Sequence, residues 1–298
     1  MFAIAVFGFI CNQIIFLAIG SVDCVGCSSA EDENNESCPS PIQAKERQRK
    51  PSKTMKLLNH DNINALLRLS IMIFTKDVYS NQTLALAAQL IAEVCREAEG
   101  RKMALKYKSQ CTLVQSLGQV LDKPISTETC VQICRIIGNL CFDCVDGRMQ
   151  IIAEASNIFS KLVKIFEDDE KITKEDPGQR LPVIFPGCLL NFCNETPEAV
   201  EVLARNQCTE ICIKNILQTK TNDAVFNSSI LFIHAMVECE SGIEHLVRCS
   251  KFPESVCHIL THTTSPEVCS TLFDMLKTCS ESPAMVLHLA KGTVIWNY

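Results

Sequence analysis

Ile137-Gly138-Asn139-Leu140-Cys141 closes an apolar stretch and is followed by a polar break, and four other five-residue phrases repeat that arrangement. They are Ile91-Ala92-Glu93-Val94-Cys95, Leu189-Leu190-Asn191-Phe192-Cys193, Phe232-Ile233-His234-Ala235-Met236 and Met275-Leu276-Lys277-Thr278-Cys279. Their last residues stand at 95, 141, 193, 236 and 279, so the steps are 46, 52, 43 and 43 residues. Such a period is that of stacked helical repeats, in which each unit buries its apolar face only against its neighbours. The one long step contains Glu167 to Arg180, a stretch with nine charged residues and Pro177-Gly178, which is expected to form an exposed loop.

The segment before each break carries apolar residues three to four apart: Leu86, Leu90 and Val94; Ile133, Ile137 and Leu140; Phe185, Leu189 and Phe192; Phe226, Ile230, Ile233 and Val237. That spacing puts them on one face of a helix. Shorter helices are expected at Met149 to Glu154 and Ala199 to Arg205, then longer ones at Phe159 to Glu167 and Glu210 to Leu217. Three helices per unit favour an all-α armadillo-repeat superhelix, an α-solenoid, over a two-helix HEAT array. About five repeats are expected over residues 55–298, the last of them truncated. Armadillo units usually place Gly between their first two helices. Ser156-Asn157 and Asn206-Gln207 stand there instead, and Asn is expected to supply the left-handed residue. Pro186, falling mid-helix, is expected to kink its helix.

Composition agrees. The 298 residues hold only 11 Gly and 11 Pro, too few for a many-stranded barrel, while 47% apolar content supports a substantial core. A formal charge of −6 provides no general grip on phosphate backbones, which argues against nucleic acid and for basic partners. The 19 cysteines lie mostly in apolar helical segments, as in Val131 to Ile137, and are expected to be reduced core residues. Four of them, Cys130, Cys134, Cys141 and Cys144, have the count but not the spacing of a closed zinc site.

The N-terminus reads differently. Residues 1–20 carry no charge and form a hydrophobic leader with the character of a signal-peptide core or a marginal anchor; Ala18-Ile19-Gly20 is an acceptable cleavage site, but no basic residue precedes the apolar run. Residues 21–54 are polar, with a basic stretch from Lys45 to Lys53, and are expected to be a disordered linker. The Cys24-Val25-Gly26-Cys27 pair has no second ligand pair and is expected to be two unpaired thiols in that linker. A secretory reading would make the sequons at Asn35, Asn81, Asn194 and Asn227 usable and membrane contact possible.

The phrase Arg135-Ile-Ile-Gly-Asn-Leu-Cys-Phe-Asp-Cys-Val-Asp-Gly-Arg148 resembles a signature of the smg GDP-dissociation stimulator family, Gly-Asn-hydrophobic-Cys-aromatic-Asp-x-x-Glu-Gly-Arg. Leu90 to Val94 and Leu190 to Glu195 fill the corresponding places in the flanking repeats, and the similarity runs co-linearly from about residue 57 to 290. The resemblance implies a cytoplasmic armadillo protein without a cofactor that binds small GTPases of Rho, Rap and Ras type through basic, prenylated C-termini, as chaperone or nucleotide-exchange stimulator. Family members have about twice as many repeats and engage the GTPase body mostly through the C-terminal half. Tail binding with weak or absent exchange is therefore the expectation for these 298 residues.

Asn139 and Asn191 fall where armadillo proteins line their groove with an asparagine ladder, which Glu93, His234 and Lys277 interrupt in the other repeats. Both amides are equally suited to tying neighbouring helices. Glu93, Asp143, Asp146 and Glu195 lie near the same groove and are candidates for pairing with a basic tail. No hydrolase, Rossmann, P-loop or kinase motif is present, and the histidines lack a convergent acid and nucleophile. A non-catalytic binding module is expected. A general scaffold for peptides or partner helices is the rival reading.

Overall fold

The computed structural model describes residues 60–176, 178–218 and 224–294, and every regular element among them is a helix. The leader, the linker, Cys24-Val25-Gly26-Cys27 and Asn35 lie outside the described residues, and so does the prediction that order begins at Met55. After α1 (His60–Thr75), the repeat is built from α2 (Asn81–Arg96), α3 (Ala98–Lys106) and α4 (Leu113–Val120), followed by α5 (Thr127–Cys141), α6 (Val145–Ala155) and α7 (Ile158–Ile165). A short α8 (Asp169–Glu175) intervenes before α9 (Arg180–Cys193), α10 (Pro197–Arg205) and α11 (Cys208–Gln218). Then come α12 (Ala224–Val237), α13 (Glu240–Arg248) and α14 (Phe252–His262), and finally α15 (Pro266–Ser280) and α16 (Pro283–Val294).

Each unit runs from a long first helix to a second, here called short, and a third, here called medium, and each kind stacks on its own kind. The expected lengthening of the third helix fails at α7, which has 8 residues against 11 in α6 because its chain leaves the helix at Phe166. The long helices α2, α5, α9, α12 and α15 pack each against the next, as do the short helices α3, α6, α10, α13 and α16. The medium helices α7, α11 and α14 form the third layer. The stripes account for this: Leu90, Ile91, Val94 and Cys95 are buried on α2, Ile133, Ile136, Ile137 and Leu140 on α5, and Phe185, Leu189 and Phe192 on α9. Phe159 of α7 meets Phe192 with ring centroids 4.5 Å apart, so the medium and long layers interlock in the core.

Local chemistry sets the boundaries. Ser80, Ser126 and Ser265 accept hydrogen bonds from the amides of Thr83, Thr129 and Val268, which caps three of the long helices. Thr112 and Gln115 form a reciprocal capping box at the start of α4. At the other end of the long helices the chain turns sharply into the short ones. A Cβ on Gly100, Gly147 or Gly242 would lie 1.9, 2.2 or 2.0 Å from the carbonyl oxygen of Val94, Leu140 or Met236. These glycines let the short helix close on the preceding carbonyl.

Three expectations need correcting. The Glu167–Arg180 insertion is not a simple exposed loop, because it contains α8 and buries Ile172 and Asp176. Its acids act as caps: Glu175 Oε2 accepts from the amide and hydroxyl of Thr127, each at 2.8 Å, and Asp176 Oδ2 accepts from the Leu181 amide at 2.7 Å. Ser156-Asn157 and Asn206-Gln207 lie between the second and third helices of their units, not the first and second; there the left-handed residue after α10 is Gln207, not Asn206, and neither Ser156 nor Asn157 adopts that conformation. The short helices start before the predicted points, at Val145 and Pro197, because the Gly and Pro at those places favour early closure onto the long helix. Pro186 lies inside α9, which runs from Arg180 to Cys193.

Most of the described cysteines lie in the core. Cys95, Cys130, Cys134, Cys141, Cys188, Cys193, Cys208, Cys212 and Cys279 are buried thiols, and among the described residues no disulfide is formed. Burial pushes the Cys95 and Cys193 thiols up to about 12 and that of Cys279 to about 11, so none is a thiolate near neutrality.

The Glu175 cap makes stability acid-sensitive. Hydrogen bonds from Thr127 hold the Glu175 carboxyl below its ordinary value in the folded chain. Its contribution is therefore fully present above the ordinary carboxylate range and is lost as pH falls through the lower folded value. Glu175→Gln is expected to lower stability above about pH 5, where the carboxylate cap is fully present, and to flatten the acid limb between about pH 5 and 3 so that variant and parent converge at low pH. Urea midpoints across that range check this, and an unchanged acid limb would exclude the cap as its source.

Candidate partner-binding surface

The candidate surface is built on the long helices and on the breaks that follow them. Glu93, Asn139, Asn191, His234 and Lys277 occupy the same register on α2, α5, α9, α12 and α15. Asn139 Nδ2 donates to the carbonyl of Ala92 at 2.8 Å, and Asn191 Nδ2 donates to that of Gly138 at 3.1 Å. Each asparagine thus reaches back to the preceding long helix and staples one repeat to the last. The amide is consumed in part by the fold, as expected of half-buried amides.

Glu93 is likewise engaged. It pairs with Arg135 of the next long helix and lies 3.7 Å from Arg96 of its own. Arg135 also donates to Gln132 Oε1 at 2.7 Å, and Gln132 Nε2 donates to Glu128 Oε1 at 2.6 Å. Glu128 pairs in turn with Arg180, whose Nε lies 3.3 Å from Asp176 Oδ1. Burial raises the Glu128 carboxyl, but the hydrogen bonds from Gln132 and Arg180 outweigh it and leave it below its ordinary value. The sequence reading did not single out Arg135, Gln132, Glu128 or Arg180. Spacing of one repeat between Glu93 and Arg135 was the available signal.

Asp143, Asp146 and Glu195 form a second set, exposed along the rim where long helices turn into short ones. Asp143 and Glu195 hold φ of 49° and 51°, the left-handed conformation at the middle of their three-residue breaks. Their carboxylates are held outward by backbone, and Glu198, Glu238 and Glu240 continue the exposed acidic rim into later repeats. The six predicted residues therefore divide into three committed to inter-repeat bonds and three free to meet solvent or a partner.

The signature residues have another role. Arg148 is only 3% exposed; its Nε donates to the carbonyls of Cys141 at 3.2 Å and Asn191 at 3.0 Å, and Nη1 donates to Thr196 Oγ1 at 3.3 Å. Gly147 and Arg148 thus belong to the turn and to the junction with the next repeat. Beside them Phe142, Val145 and Met149 are exposed apolar side chains, and Arg101 lies over the Phe142 ring. Farther along, Leu231 of α12 is 46% exposed although its register equivalents Leu90, Ile136 and Cys188 are buried, and Phe273 of α15 is exposed as well. Asn194, at the C-terminus of α9, is exposed. Among the described residues no group of three or more His, Cys, Asp and Glu is placed to hold a metal ion.

Solved structures share this architecture. A designed armadillo repeat protein superposes with a TM-score of 0.57 over 75% of this chain and 84% of its own, at 15% identity. The fold is an armadillo repeat. An engineered protein matches with a TM-score of 0.56 over 77% of this chain and 93% of its own at 16% identity, and a second designed armadillo protein, in complex with the peptide (KR)4, gives 0.52 over 77% and 88% at 14%. No family model matches the chain. In sequence the chain is 20% identical over 249 residues to Rap1 GTPase-GDP dissociation stimulator 1-B of Xenopus laevis, covering 81% of this chain. The match spans only 39% of that protein's length. Among the described residues, no helix is long and apolar enough to cross a membrane.

Proposed function

We propose that this chain is a small-GTPase-binding regulator that takes the basic, prenylated C-terminal tail of a Rho-, Rap- or Ras-type protein. The observation that carries the reading is the co-linear similarity to the Rap1 GTPase-GDP dissociation stimulator over 249 residues. The rim of Asp143, Asp146 and Glu195 supplies the charge for the basic part of the tail, and the exposed Leu231 and Phe273 on adjacent long helices supply apolar surface for the lipid. The mechanism is non-covalent: a regulator shifts nucleotide or membrane equilibria only by the difference in its affinity for the two states of the GTPase. It acts in the cytoplasm as chaperone of the prenylated tail, as exchange stimulator, or as both.

The test is binding of a prenylated polybasic tail peptide at low and high salt, paired with stopped-flow release of fluorescent GDP from Rho and Rap proteins. Asp143→Lys, Asp146→Lys and Glu195→Lys together are expected to weaken tail binding at least about tenfold at low salt, with the difference shrinking at high salt as the charges are screened. Equal binding of an uncharged, unprenylated peptide would favour the rival scaffold reading, in which the same surface accepts peptides or partner helices without GTPase specificity.

A further inference from the structure

The short helices α3, α10 and α13 are each nine residues long and align without gaps. At their fifth and ninth positions α10 carries Glu201 and Arg205, 2.8 Å apart, and α13 carries Glu244 and Arg248, 3.5 Å apart. Those are one-turn ion pairs of the ordinary stabilising kind. The same two positions of α3 hold Lys102 and Lys106. Two like charges one turn apart destabilise a helix by about as much as an ion pair stabilises it, and Lys108 follows just beyond the helix.

The substitution coincides with a concavity. A cavity of about 470 Å³ is lined by Asn64 of α1 and by Glu99, Lys102, Met103, Lys106, Tyr107 and Lys108. Its lining holds three lysines and one glutamate, on a chain whose net charge is −6. Arg101 does not belong to it, since its guanidinium is bonded to the carbonyls of Cys95 and Arg96. We propose that this cavity binds a multiply phosphorylated small molecule, with Lys102, Lys106 and Lys108 as the phosphate ligands and Asn64 and Tyr107 as hydrogen-bonding walls. The volume is that of a small-molecule site. Lysine supplies compact point charges suited to phosphate oxygens, whereas the fork of arginine that suits a peptide carboxylate is absent from the lining. The shared chemistry is a cluster of phosphates, free or carried on a lipid headgroup.

The site is separate from the acidic rim and stands or falls independently of the GTPase reading. Its test is titration calorimetry of the full chain with inositol hexakisphosphate at low salt, alongside flotation with phosphatidylcholine vesicles with and without phosphatidylinositol 4,5-bisphosphate. Lys102→Glu restores the one-turn pairing of α10 and α13, so it is expected to leave the unfolding midpoint unchanged or slightly raised while weakening binding at least about tenfold. Saturable, Lys102-dependent binding to the soluble probe identifies a free phosphate ligand, and Lys102-dependent binding to bisphosphate vesicles alone identifies a lipid headgroup; either supports the site. Binding to neither probe overturns it. Binding that survives Lys102→Glu also overturns it, because the basic Lys45–Lys53 stretch would then be the anion-binding element.

Discussion

Arg148→Ala is expected to destabilise the chain by about 3 kcal/mol and to split its unfolding into two steps. The guanidinium bonds a carbonyl of its own repeat and two groups of the next, Asn191 O and Thr196 Oγ1. Hydrogen bonds from charged donors contribute about 1.5–3 kcal/mol each when their acceptors are left buried without a substitute. Part of the loss is recovered, because Cys141 O also accepts from the Cys144 amide and Thr196 Oγ1 also donates to Asn194 O. Asn191 O lies in the last turn of α9, beyond the reach of that helix's own amides, so the damage concentrates at the junction of α5 and α6 with α9 and α10. Stability of a stacked array is a sum of unit terms and nearest-neighbour interface terms, and weakening one interface uncouples the two sides. Guanidinium unfolding followed by circular dichroism reads both effects. Arg148→Lys should rescue poorly, since an ammonium cannot reach three acceptors in the planar arrangement of the fork. A single cooperative transition within about 1 kcal/mol of the parent, set against the loss expected for such bonds, would show that the junction is held elsewhere.

The second large effect is expected from Phe192→Ala. Phe192 is fully buried on α9 and meets Phe159 of α7 with centroids 4.5 Å apart. Truncating a buried Phe removes the transfer free energy of the ring and opens a cavity, together about 3–5 kcal/mol. Phe192→Leu keeps most of the volume and is expected to lose less than half as much. Chemical denaturation of both variants separates packing from chance, because a cavity mechanism requires the two losses to scale with volume removed. Equal losses would point to the backbone of α9, which already contains Pro186, in place of the ring contact.

These two residues also show how much of the molecule was legible beforehand. Phe192 was readable: it sits in the apolar stripe Phe185, Leu189, Phe192, and a helical stripe must face other apolar groups. Arg148 was readable only as the last residue of a family-like signature, which assigned it no role of its own. Its burial at a repeat junction follows from the left-handed residue Asp143, which turns the chain so that α6 packs against α10 and Arg148 reaches the carbonyl of Asn191 at the end of α9. A similar gap separates the predicted and actual roles of Glu93. Its acidity was visible, but its partner Arg135 lies one repeat away, and pairing across that distance depends on the stacking angle of α2 on α5.

The insertion shows the same limit from the other side. Nine charged residues with Pro177-Gly178 read as solvated chain, yet Glu175 and Asp176 are spent on the first amides of α5 and α9. Orphan amides at helix starts create demand for acceptors that a linear reading does not locate, because the helix start and the acceptor are joined only when the repeat closes. Residue type and period by themselves determined the helices, their number per unit, the buried stripes and the location of the cysteines in the core, since those depend on neighbours three, four and about forty-five residues away along one chain. Which polar groups remain available to a partner was decided only by the tertiary structure. Hydrogen-bond and ion-pair partners are chosen by distances of a few ångströms between separate helices, and stacking alone brings Asn139 to Ala92, Arg148 to Asn191 and Lys102 to an open cavity.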